Sequence, residues 1–148
     1  MSREISSQTS DARKRIRAEA EAMGIDAAFI SNLVDQFYEK IRVHPELGPI
    51  FNDAIGDEWD AHLVKLKQFW SSIAFHDGSY SGRPVPAHMK LPGLTPQLFG
   101  LWLAQFDQTL VQISASKEAH VWFMQRARRI AESLMLNIFY NPEMSDPR

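Results

Sequence analysis

At 148 residues the chain has the commonest single-domain size and can bury a substantial core. Hydrophobic residues make up 45 % and charged residues 23 %, proportions that exclude a disordered or fibrous chain. A formal charge of −2 and the absence of cysteine exclude an electrostatic binder of nucleic acid or anionic lipid, a disulfide framework and any cofactor attached through sulfur.

Met1 to Asp11 is polar, without an apolar signal core, and no apolar run approaches the ~20 residues of a membrane span. The expectation is a cytoplasmic chain with no membrane partner. Ser10 is the candidate cap of a first helix running from about Asp11 to Gly24. Its apolar face is thin, which predicts weak packing. Residues 1–24 therefore read as a charged extension, 25–142 as the domain proper and 143–148 as a flexible tail. The basic runs Arg13-Lys14-Arg15-Ile16-Arg17 and Arg126-Ala127-Arg128-Arg129 are followed by Glu19, Glu21 and Glu132, the pattern of solvated helix faces.

Asp26 caps a second helix whose stripe is Phe29, Ile30, Leu33, Val34, Phe37, Tyr38 and Ile41. Pro45, Gly48 and Pro49 then break the chain before Phe51. Asp57 is the candidate cap of a third helix with Trp59, His62, Leu63, Leu66, Phe69, Trp70 and Ile73 on its buried side. From Asp77 to Pro96, Gly and Pro dominate, an irregular stretch long enough to suggest function. It contains Pro86-Ala87-His88-Met89-Lys90-Leu91, with room for only a short helix. Thr95-Pro96 opens a long helix in cap-then-proline order, its face formed by Leu98, Phe99, Trp102, Leu103, Phe106, Leu110 and Ile113. Ser116 is the candidate cap of the last helix, which carries Val121, Trp122, Met124, Ile130, Leu134 and Ile138 and stops at Pro142. No strand alternation survives, so the fold class is all-α.

Nine Phe, four Trp and three Tyr fit either a well-filled core or the walls of a flat-cofactor pocket. Of the five histidines, His44, His76 and His120 sit among turn and surface signals and read as exposed. His62 lies on an apolar helix face and His88 lies between chain breakers. A lone histidine in such a place is more often a satisfied core residue. Two of them on opposite sides of an aromatic pocket suit the two faces of a haem. A neutral imidazole at His88 would be the axial ligand, on a short segment placed independently of the long helices. His62 would meet the small ligand from the other side. Tyr38 and Trp102 each add one strong donor on an aromatic body, worth about 1–3 kcal/mol toward a partly negative ligand. Other chemistries lack their patterns: there is no His-Glu-x-x-His zinc motif, no nucleophile elbow around Ser71, Ser72 and His76, and no phosphate loop.

The strings Phe37-Tyr38-Glu39-Lys40-Ile41-Arg42 and Pro45-Glu46-Leu47-Gly48-Pro49-Ile50-Phe51 resemble the opening of the group III truncated haemoglobins. His62 with Phe69-Trp70, Tyr80-x-Gly82-x-Pro84, His88-x-x-Leu91-Pro92 and Phe99-x-x-Trp102-Leu103 follow in that family's order, from Phe29 to the last helix. The resemblance implies a two-over-two helical sandwich around non-covalent haem b. It implies His88 as proximal iron ligand and Tyr38, His62 and Trp102 as the distal set. Phe51 would stack on the haem, Leu66 would pack over its distal face and Lys65 would meet a propionate. Phe37, Phe69, Trp70 and Leu91 would complete the cofactor pocket. The longer charged segment up to Gly24 departs from the family pattern.

Three functions follow. The first is capture of dioxygen, nitric oxide, carbon monoxide or a similar diatomic ligand at a five-coordinate iron, tightened by the polar distal trio; oxygen transport falls within this class. The alternative is a redox enzyme, peroxidase-like or a nitric oxide dioxygenase, with Tyr38 and Trp102 as its catalytic pair. The chain has no flavin motif, so that activity would need a separate reductase. The third is a cofactor-free helical interaction module. A monomer and a homodimer fit the sequence equally.

Overall fold

A computed structural model describes the backbone of residues 2–76 and 94–139, and side chains for residues 11–76 and 94–136. His88, Leu91, the irregular stretch from Asp77 onward, Pro142 and the tail at 143–148 lie outside the described residues. Every regular element described is helical, as the sequence predicts, and no described helix is long and apolar enough to cross a membrane.

Helix α1 (Ser2–Ala22) begins well before Asp11, because neither Gly nor Pro interrupts the preceding residues. It ends at Gly24, whose φ of +85° is a conformation glycine adopts without strain. Its thin apolar face nevertheless packs on α4. Ala20 is buried, and the Arg17 guanidinium lies 4.5 Å above the ring of Phe75. Helix α2 (Ala27–Val43) starts where expected: the Asp26 carboxylate accepts from Phe29 N at 2.8 Å. Ile30, Leu33, Val34, Phe37, Tyr38 and Ile41 form its buried stripe.

The segment expected to be broken before Phe51 is instead helix α3 (Leu47–Ile55). Pro49 falls in its first turn, where no intrahelical donor is needed. His44 starts the helix, its Nδ1 accepting from Glu46 N and Leu47 N, each at 3.1 Å. This histidine is therefore half-buried rather than exposed.

Helix α4 (Trp59–Phe75) is preceded by Glu58, not Asp57, and Glu58 makes no side-chain cap bond. It ends at His76, exposed and in the left-handed conformation. Helix α5 (Pro96–Gln112) has the expected cap, Thr95 Oγ1 accepting from Leu98 N. Helix α6 (Lys117–Phe139) begins at Ser116, whose Oγ accepts from Ala119 N at 3.0 Å.

The face of α6 is rotated from the expected one. Val121 is half exposed, and the helix buries Ala119, Phe123, Met124, Ala127, Ala131 and Leu134. Trp122 is half-buried under the Arg126 guanidinium. His120, expected at the surface, is half-buried because its Nε2 pairs with Asp107 Oδ1 of α5 at 2.6 Å.

Two helix pairs, α2 with α4 and α5 with α6, meet where α2 packs on α5, while α3 rests on α2. Phe106 is the hub between them. It stacks on Trp70 at 5.5 Å and Trp102 at 5.8 Å, meets Phe37 edge-on at 5.1 Å and lies 6.3 Å from Phe123. Each such ring pair adds roughly 0.5–1.5 kcal/mol beyond its buried area. This aromatic floor makes the side chains on the facing stripe of α2 rigid.

Candidate functional site

Above that floor, α2, α3, α4 and α5 each deliver one ring to a common point. Tyr38 comes from the buried stripe of α2, and Phe51 from α3 faces it at 6.3 Å between centroids. His62, one turn into α4, meets Tyr38 edge-on at 6.3 Å. Trp102 of α5 approaches through Phe37, edge-on at 5.4 Å, and its indole N–H donates to the Tyr38 hydroxyl. The structure thus brings Phe37, Tyr38, Phe51, His62 and Trp102 together.

Tyr38 is 4 % exposed, and desolvation pushes its phenol well above the usual tyrosine value; the bond from Trp102 opposes this only in part. The phenol is therefore neutral and keeps its proton. A neutral phenol carries one O–H donor, the group a small ligand would meet here. That phenol, a half-buried imidazole and a half-buried indole brought to one place can hydrogen-bond a small ligand carrying partial negative charge.

Leu66 is half-buried and Lys65 exposed, both on α4. Phe69 lies edge-on to Trp70 at 5.6 Å. Trp70 itself is sunk in the aromatic floor, against Phe106 and Phe123. His88 and Leu91 fall outside the described residues.

Three residues not read from the sequence as part of the site adjoin it. Trp59, on the expected stripe of α4, touches both Tyr38 and His62, with centroids 6.0 and 5.9 Å away. Its indole N–H donates to Asn52 Oδ1 at 3.1 Å, and Asn52 Nδ2 donates to the Arg42 carbonyl at 3.0 Å. The spacing of Trp59 three residues before His62 was the available signal. Asn52 and Arg42 carried none. On the outer side of Tyr38, an open cavity of about 700 Å³ runs between α2, α3 and α4, lined by Asp35, Tyr38, Glu39, Arg42, Val43, Asn52 and Leu63. Asp35 is paired there with Lys67 at 2.9 Å.

No protein-family model matches the chain. The group 3 truncated haemoglobin ctb of Campylobacter jejuni is 37 % identical over 119 residues, spanning 78 % of this chain and 92 % of that protein. The crystal structure of the group III truncated haemoglobin from Campylobacter jejuni superposes with a TM-score of 0.73 at 36 % identity, covering 79 % of this chain and 94 % of that one.

Proposed function

The chain belongs to the group III truncated haemoglobins, and from that premise we propose that it holds haem b on His88 and captures dioxygen or another small diatomic ligand. One observation carries the finer part of the reading. Tyr38, His62 and Trp102 converge, with the phenol neutral and buried. The donor set fits the group: a flat apolar cofactor needs aromatic and aliphatic walls, and its ligand needs a few aimed donors.

When bound, the haem would supply an iron able to take a small diatomic ligand. The chain supplies the rest. His88 would hold the iron through one imidazole nitrogen. Phe51, Leu66 and Phe37 would exclude water from the ligand's side. Lys65, exposed on α4, suits a propionate, since an ammonium on a flexible stem stays solvated. Tyr38 would donate its hydroxyl proton toward the ligand while Trp102 fixes that hydroxyl's lone pair, which favours slow release. The globin unit is proposed to span residues 25–142, with residues 1–24 as an extension.

The test is the absorption spectrum of the purified protein with and without His88→Ala, followed by oxygen release from the Tyr38→Phe variant. A Soret band whose axial ligation changes in His88→Ala is expected. Losing the phenol donor should speed release by roughly five- to a hundredfold. Absence of the band, or a release rate unchanged in Tyr38→Phe, would overturn the reading.

A further inference from the structure

Trp59 touches two of the three polar groups of the site and is itself fastened from two directions. Its ring, 4 % exposed, closes a triangle with Tyr38 and His62: the centroid separations are 6.0, 5.9 and 6.3 Å, and His62 is edge-on to both neighbours. Each of the three rings packs against the other two, so the position of one bears on the others.

The fastening comes from outside the triangle. Asn52 of α3 accepts the indole N–H with its Oδ1 and spends its own amide donor on the Arg42 carbonyl, in the last turn of α2. The Arg42 guanidinium lies 4.9 Å above the indole face. Three helices therefore meet on one indole. The tether matters the more because Glu58 gives α4 no side-chain cap bond. The first turn of α4, which bears His62, is anchored by the indole instead.

We propose that Trp59, held by Asn52 and Arg42, is a positioning residue that sets the angle between the Tyr38 phenol and the His62 imidazole, and so decides how each faces a bound diatomic ligand. Trp59 acts through those two side chains. The inference rests on the haem reading above. It adds that the direction of the distal hydrogen bonds is fixed at the α2–α3–α4 junction rather than at the ligand.

The experiment uses the haem-loaded ferrous protein with carbon monoxide, whose C–O stretching band reports the distal hydrogen-bonding field independently of any turnover. Three variants are compared with the wild type: Trp59→Phe, which keeps a ring and loses the N–H; Asn52→Leu, which loses the acceptor; and Asn52→Asp, which keeps it. Trp59→Phe and Asn52→Leu should still show a Soret band but have a shifted or split C–O band, with oxygen release roughly threefold or more faster. Asn52→Asp keeps the acceptor for the indole but loses the bond to the Arg42 carbonyl, so its band should lie between those of the wild type and Asn52→Leu. A C–O band unmoved in both Trp59→Phe and Asn52→Leu overturns the inference while leaving the haem reading intact. So does an Asn52→Asp band displaced as far as that of Asn52→Leu. If Trp59→Phe does not fold, the contrast between the two Asn52 variants decides. A wild-type protein without a Soret band removes the haem reading and this inference together.

Discussion

A phenol as deeply buried as that of Tyr38 resists ionisation, because the phenolate would lose its hydration and the bond from Trp102 makes up only part of that loss. An unfolded tyrosine titrates near 10.0, whereas the folded one titrates higher. The folded state thus binds this proton more tightly, and stability is undiminished below about pH 10 and falls as pH rises through the folded value. Urea midpoints followed into the alkaline range should show this loss, and Tyr38→Phe should flatten it. The tyrosinate absorbance owed to Tyr38 should develop only as the protein unfolds. Tyr38 and His62 could be singled out from the sequence because a polar group on an apolar stripe is conspicuous. Asn52 could not. Its partners lie seven residues ahead and ten behind, and only the turns on either side of α3 bring both within hydrogen-bond reach.

The first turn of helix α3 holds a glycine, Gly48, that has no room for a side chain. A Cβ on Gly48 would stand 2.7 Å from the Arg42 carbonyl oxygen, and that oxygen also accepts from Asn52. Gly48→Ala must therefore move backbone; a loss of about 1–3 kcal/mol is expected from denaturant titration. A Gly48→Ala protein as stable as the wild type would contradict the close approach. Prolines at 45 and 49 suggested a break here, yet Pro49 sits within a first turn, and a histidine ring supplied the cap. On α6 the conspicuous residues misled. Val121 and Trp122 are larger and more conspicuous in the sequence than Ala119, Ala127 and Ala131. The small side chains nevertheless face α5, because they let the helices approach while Phe123 fills the space between. Thr109 was passed over as polar, but it is fully buried with its Oγ1 bonded to the Gln105 carbonyl at 2.7 Å.

Across the whole molecule, one serine joins the end of α1 to the start of α6. Ser116 Oγ donates to the Met23 carbonyl at 2.7 Å, bridging 93 positions, while accepting from Ala119 N as the cap of α6. Ser116→Ala removes both bonds and should lower stability by about 1–2 kcal/mol, read from thermal or urea unfolding. Ser116→Asp keeps the cap but cannot donate to Met23; if it proves as stable as the wild type, the long-range bond contributes nothing. The same region holds α1 against α4 through Ala20 and the Arg17–Phe75 contact. A face of few apolar residues was thus enough, because α4 offers the buried ring of Phe75 at its end.

Helix number aside, the all-α class, the caps at Asp26, Thr95 and Ser116 and the buried stripe of α2 were legible from residue order alone, because capping and amphipathic periodicity are local. Folding in three dimensions chose the face α6 presents, turned the Pro49 segment into α3 and hung Trp59 from Asn52. Those outcomes depend on which surfaces press together, and no window of neighbouring residues contains that information.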